Sequence, residues 1–406
     1  MANKDLTKAK TGKNDEFYTQ YHDIENEINA YLEYDPNVFE NKTILLPCDD
    51  PEWSNFTKFF AQNFERLKLK KLISTSFAPE SKNIKSNYQP TLFETTNPQF
   101  DNKKTIVNGK IFTLKNDRTG DGKIDVNDLE WKYLKGDGDF RSEEIIKLRN
   151  ESDIIITNPP FSLFRDFLAW IVEANKKFVI IGNMNAITYK EVFPLIENNK
   201  MWTGSRFNKR LNGKNMTFVV PDDYALSGTE VEMSAEGKKM VSVAGTGWFT
   251  NLDHGIRHQF LPLMSMADNI KFSKHKEIKG NGYKKYDNYD AIEVPFTDAI
   301  PSDYNGVMGV PISFLPKYNP EQFIILGATQ RGCHDKVPDI KKYDDYWEVK
   351  QSGEKTGSSG GKTNENANLE ENDGKKNYFI NKDGHIIQSA YQRIFIKHKN
   401  ENNIKN

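Results

Sequence analysis

The sequence predicts an α/β protein, a doubly wound and mostly parallel sheet followed by a smaller, mixed, β-rich region. Three observations carry that expectation. Short apolar runs alternate with amphipathic helical segments from residue 15 to residue 183; several of those runs end in an acidic or proline-rich turn; and after Asn185 the pattern changes to shorter, mixed segments. Strands separated by helices imply parallel pairing with both faces of the sheet covered. Such sheets bind ligands beyond the C-terminal ends of their strands.

Each element has its own warrant. In DEFYTQYHDIENEINA (15 to 30), Phe17, Tyr21, Ile24 and Ile28 recur at spacings of three and four, the pattern of an amphipathic helix. KTILLPCDDP (42 to 51) reads as a strand stopped by Pro47 and an acidic turn. SNFTKFFAQNFERLKL then places Phe56, Phe59, Phe60, Phe64 and Leu67 on one helical face behind Ser54 as N-cap. KLISTSF (71 to 77) is a second strand, and the polar stretch 78 to 130 breaks the rhythm as an insertion. The alternation resumes with a short strand at Trp131 to Leu134, the turn GDGDF and the helix SEEIIKLRN. Strand DIIIT (153 to 157), the turn NPPF, helix SLFRDFLAWIVEAN and strand KKFVIIGN (176 to 183) follow. The expected domains are 1–200, carrying the 78–130 insertion; 201–350, which ends the sheet and adds the second region; a flexible low-complexity loop at 351–377; and a C-terminal strand and tail at 378–406. The loop's Gly, Ser, Asn, Lys and Glu leave little to bury.

With 406 residues, 37% hydrophobic and 28% charged, the chain can bury a sizeable core. No apolar run reaches the roughly 20 residues that span a bilayer, and the first residues lack a signal-type segment, so a cytoplasmic protein with no membrane partner is expected. Cys48 and Cys333 have neither metal-type nor redox-type spacing. A formal net charge of −1 means that a nucleic-acid partner must be met by local basic clusters. Those clusters are Lys4 to Lys13, then Arg206, Lys209, Arg210 and Lys214, then the lysines of 271 to 285, including Lys274, Lys276 and Lys279; any one of them alone reads first as a solvated face or flexible arm. Asp117 to Asp128 fits the spacing of a calcium loop, with oxygen donors at positions 1, 3, 5, 9 and 12 and Gly122 at position 6, against the alternative of a polar surface hairpin.

The chemistry concentrates where Ile154, Ile155 and Ile156 lead into Asn158, Pro159, Pro160 and Phe161. Two prolines cannot both continue a ladder, but they hold a carbonyl on a stiff, pre-aimed backbone. The tetrapeptide, between a buried strand and a helix, resembles motif IV of the S-adenosylmethionine-dependent amino-methyltransferases. The resemblance implies that the Asn158 side-chain oxygen and the Pro159 carbonyl accept the two N–H bonds of a conjugated amino group, leaving its lone pair to attack the methyl, while Phe161 stacks on the base. It also implies a cofactor site. Asp49 or Asp50, in a glycine-free motif I, would meet the cofactor's ammonium, and Asp139 of GDGDF, with Asp137 as neighbour, would meet its adenine amino group. Phe17, Tyr18 and Thr19 match motif X. No residue stands out for the cofactor ribose, Glu80 being the nearest acidic group.

The order X, I, III, IV followed by a distinct second region is that of the gamma class of adenine-N6 DNA methyltransferases. DEFYTQYHDIENE, CDDP with SNF, KGDGDFRS, TNPPFSLFR, IIGN with ITYKEVF, WFTNLD, and YDNYDAI through DYNGVMGVPISFL to NPEQF together resemble the EcoRI-type enzymes of that class, from residue 15 to about 325. The family implies a Rossmann-like methyltransferase core over 1–200, S-adenosylmethionine as cofactor, no metal, and a target adenine flipped out of double-stranded DNA, within a GAATTC-like site. It implies a restriction-modification or orphan role, any cognate endonuclease being a functional rather than a physical partner. RNA adenine, a protein glutamine, or DNA binding without catalysis are the alternative readings.

Overall fold

The computed structural model describes residues 18–49, 54–78, 92–207, 216–220, 231–233, 237, 239–243, 245–329 and 336–399. The chain divides into two compact units, one of residues 1–186 with 201–255, the other of 187–200 with 256–406.

The first unit is built on an eight-stranded sheet. Its strands in chain order are β1 (Thr43–Leu46), β2 (Lys71–Ser76), β3 (Lys110–Leu114), β4 (Glu130–Tyr133), β5 (Ile154–Thr157), β6 (Lys177–Asn183), β7 (Trp202–Thr203) and β8 (Thr246–Thr250). They lie side by side as β4-β3-β2-β1-β5-β6-β8-β7. Pairing is parallel for β1 with β2, β1 with β5 and β5 with β6, whereas β3 and β8 run against their neighbours. The result is a mixed sheet with a parallel centre. The centre is where the sequence is most apolar: TILL in β1 and IIIT in β5 are buried at every position, as strands covered on both faces must be. The antiparallel margins come from β3 and β4, which lie in and just after the 78–130 insertion, and from β8, which lies beyond residue 200. The sheet thus takes in β7 and β8 from residues 201–255, which belong to the first unit, whereas 187–200 go with the second.

Helices α1 (Tyr21–Tyr34), α2 (Asn55–Gln62), α3 (Glu143–Glu151) and α4 (Phe164–Glu173) accompany this sheet. Ile24, Ile28 and Tyr31 of α1 and Phe56, Phe59 and Phe60 of α2 share one apolar cluster with β1, β2 and β5. Helix α1 begins later than its periodicity predicts because Tyr18–Thr19 is extended, paired with Thr217–Val219 in a separate four-stranded sheet. The helix after NPPF likewise starts at Phe164, behind a 3-10 turn over Phe161–Leu163.

The second unit holds a four-stranded sheet ordered Ala291–Glu293, Val307–Pro311, Arg393–His398, Phe323–Ala328, and a five-stranded sheet around Trp347–Val349. Residues 351–377 are folded, in contrast to the flexible loop that their composition predicts. Lys355–Ser359 and Asn368–Leu369 are strands, and Thr363 and Asn368 are fully buried in mutual hydrogen bonds. Polar side chains satisfied by one another add to the apolar contacts of Ala367 and Leu369, which are buried in a cluster with Tyr286, Tyr289 and Phe395.

Candidate active site

The strand order reverses at β1: the chain passes from β1 to β2 on one side and later enters β5 on the other. Asp49 sits just past β1 at this junction and is buried. Its Oδ1 accepts Ser54 Oγ at 2.8 Å and its Oδ2 accepts Thr157 Oγ1 at 2.6 Å. Ser54 also caps α2 by accepting from the Phe56 amide at 3.1 Å, and Thr157 is the residue before Asn158. One carboxylate thus ties the end of β1, the start of α2 and the root of NPPF. Below it the Asp49 amide donates to Thr75 O at 3.2 Å, and Ser74 Oγ donates to the Asp49 carbonyl, so β2 joins the same knot. Cys48 lies in it as a free thiol, pushed well above its usual range by burial and by the Asp49 charge, with a smaller push from Asp139. Thr157 was not singled out in the sequence; the signal was a hydroxyl closing an all-isoleucine strand.

In the NPPF turn Pro159 is buried, Asn158 and Pro160 are half-buried, and the Leu163 amide donates to Pro160 O at 2.9 Å, turning the chain into α4. Phe161, 8% exposed, packs in the cluster that includes Ile156, Phe56 and Trp248.

The GDGDF loop packs backbone to backbone on the end of β2. The Ala78 amide donates to Asp137 O at 2.7 Å, and the Gly109 amide to Gly136 O at 2.9 Å. Gly138 has φ +89°, and a Cβ there would lie 2.3 Å from Ser76 O, so only glycine fits. Asp139 takes two bonds from the Arg141 guanidinium at 2.9 and 2.6 Å, and that fork holds its carboxyl below the usual range.

Tyr18 and Thr19 come to the same region through α2: Asn55 Nδ2, in its first residue, donates to Thr19 O at 2.8 Å. Thr19 Oγ1 is buried without a hydrogen-bond partner, an unspent hydroxyl next to the start of α2. Phe17, Asp50, Glu80, Lys209, Arg210 and Lys214 lie outside the described residues.

The basic candidates fall in both units. Arg206 is half-buried in the first. Lys274, Lys276 and Lys279 are exposed in the second, but Lys274 is paired with Asp298 at 2.7 Å. Burial works to raise the Asp298 carboxyl, and the bonds from Lys274 and His275 outweigh it, bringing it to about 2. In the 117–128 loop the carboxylates turn to the backbone: Asp117 accepts from the Gly120 and Gly122 amides, and Asp128 from those of Arg118, Thr119 and Asp125. Among the described residues Asp287, Glu370 and His385 gather closely enough to share an ion, yet Lys341 Nζ lies 2.8 Å from Asp287 and already supplies the positive charge. No described helix is long and apolar enough to cross a membrane.

Comparison with known proteins agrees with the motifs. The family model described as adenine-specific methyltransferase EcoRI matches residues 5–399. The chain is 45% identical to the type II methyltransferase M.EcoRI of Escherichia coli over 86% of its own length and 95% of that protein's. It is 36% identical to M.MgeORF184P of Mycoplasma genitalium, over 78% of the chain and 84% of that protein, and 33% identical to M.MpnI of Mycoplasma pneumoniae, over 79% and 84%. Both are named as type II methyltransferases. No solved structure matches the chain.

Proposed function

Because the chain belongs to the EcoRI family of adenine-specific methyltransferases and is a site-specific enzyme acting on DNA, we propose that methyl transfer takes place where Asp49, Thr157 and Asn158 meet. The observation that carries this is the Asp49–Thr157 bond, which fixes the NPPF turn against the end of β1 at the point where the strand order reverses. The parallel centre of the sheet is read as the core of a doubly wound, Rossmann-like methyltransferase domain.

S-adenosylmethionine, the cofactor that the family implies, supplies an activated methyl on a sulfonium. The residues present suit it. Thr19 offers a buried hydroxyl with its donor unspent, the start of α2 offers amides to a carboxylate, and the Asp49 carboxylate would meet an ammonium. Asp139, ionised and aimed by Arg141, accepts from an adenine amino group; Tyr18 precedes Thr19 in the same short strand. Asp50 and Phe17 keep the cofactor roles that their motifs imply.

Asn158 Oδ1 and the Pro159 carbonyl then accept the N–H bonds of the target adenine. These acceptors are set by a proline backbone before the base arrives, so they need no reorganisation during transfer. Pro160 starts the 3-10 turn that holds them, and Phe161 presents its ring to the base. An adenine inside a duplex cannot reach a strand end, so the base must be flipped at a cost of a few kcal/mol. Arg206, Lys209, Arg210, Lys274, Lys276 and Lys279 are the proposed phosphate contacts, and the second unit carries the base-reading residues. A GAATTC-like site and a cognate endonuclease belong to the same proposal. The test is incubation with methyl-labelled donor and duplexes of varied sequence, followed by nucleoside digestion. Label in N6-methyladenine from one duplex class supports the proposal; label only in RNA or protein would transfer it to the alternatives.

A further inference from the structure

Helix α1 carries a carboxylate that methyl transfer does not use. Glu27 is fully buried, and four donors point at it. Tyr31 Oη donates to Oε1 at 2.6 Å and the Ser205 amide to the same oxygen at 2.8 Å; Ser205 Oγ and the Arg206 amide donate to Oε2 at 2.8 and 3.1 Å. A buried charge is tolerated only when its lone pairs are filled, and three of these four bonds come from the loop after β7. Every partner is a donor, so a side-chain amide here would aim its own NH2 at N–H and O–H groups.

The neighbours of Glu27 are shaped around the contact. A Cβ on Gly204 would lie 2.3 Å from Glu27 Oε1 and 2.5 Å from Trp248 Cβ, so a larger residue would push the loop off the carboxylate. On the other side Phe207 is buried against Gly247 and meets the Phe249 ring edge-on at 5.1 Å. The backbone is therefore fixed before and after Arg206. One turn earlier on α1 is Asp23; burial raises its carboxyl, while the charges of His22 and Arg206 pull it back down.

We propose that Glu27 is a positioning residue for DNA: by holding the 205–206 backbone it aims Arg206 at a phosphate. This rests on the reading of Arg206 as a DNA contact. Glu27→Gln keeps the size of the side chain and removes its capacity for four donors. It is expected to raise KM for duplex DNA about tenfold, with a smaller change in kcat. The slope of log affinity against log salt should fall by about 0.9, the share of one phosphate. Arg206→Ala should lower the slope by the same amount, and the double variant should lower it no further. Should Glu27→Gln fail to fold, Ser205→Ala, which removes a single donor, is expected to shift KM and slope in the same direction by less. An unchanged slope in the Glu27 and Ser205 variants beside a lowered one in Arg206→Ala overturns the proposal alone. An unchanged slope in Arg206→Ala overturns it by removing the contact it rests on, while label transfer to DNA by the wild type would still uphold the assigned activity.

Discussion

Cys48 and Asp49 show how single residues report the state of the site. The thiol of the half-buried Cys48 is raised by desolvation and by the Asp49 carboxylate beside it, so at neutral pH it stays protonated. Alkylation of the native protein at pH 8, read by peptide mass spectrometry, should modify Cys48 far more slowly than after unfolding, and Asp49→Asn should speed it. Equal rates in native and unfolded protein would mean that the thiol is not held as described. Asp139 makes the opposite case. Arg141 keeps its folded-state carboxyl below the unfolded value of about 3.9, so the pair's contribution is fully present above roughly pH 4 and is lost as pH falls through the lowered folded value. The stability difference between wild type and Arg141→Ala should be flat from pH 5 to 8 and shrink towards zero in acid. A difference that grows in acid would reverse the assignment.

Elements differ in how much of them could be read in advance. The central strands were legible because residues buried on both faces are mostly apolar, as in TILL and IIIT, where a terminal threonine is the one polar residue of each. Helix α2 was legible through its Phe face and its Ser54 cap. Strand β3 was not, because KIFTL alternates buried and partly buried positions inside a polar insertion. The extended Tyr18–Thr19 was hidden because its partner, Thr217–Val219, is some 200 residues away, and no local pattern encodes a distant pairing. Residues 351–377 misled for another reason: hydroxyl and amide groups such as Thr363 and Asn368 satisfy one another, and composition alone cannot distinguish that from solvation. At the site, NPPF was readable as a motif, but the Asp49–Thr157 tie joins residues 108 positions apart. The GDGDF loop gives the sharpest prediction at this scale. Gly138→Ala forces a Cβ onto Ser76 O, at a cost of about 1–3 kcal/mol in stability. Thermal unfolding and calorimetry with S-adenosylmethionine should show a lowered Tm and weakened binding; unchanged binding would separate this loop from the cofactor.

At the scale of the whole molecule, a net charge of −1 leaves no general attraction to DNA, so affinity must come from placed cations. They are not equivalent. All three candidate lysines of the second unit are exposed, but Lys274 is neutralised by Asp298. Lys274→Ala should therefore alter the salt slope of duplex binding less than Lys276→Ala or Lys279→Ala; three equal slopes would contradict that ranking. The first unit carries the motif residues and the second the sheets to which base reading is assigned, so transfer and recognition should be separable by mutation. The most direct measurement is single-turnover methyl transfer by Asn158→Ala at saturating duplex and donor, with DNA affinity measured in parallel. The predicted result is a rate lower by about 100-fold or more, with DNA affinity retained. A wild-type rate in that variant would contradict the placement of the chemistry at the NPPF turn.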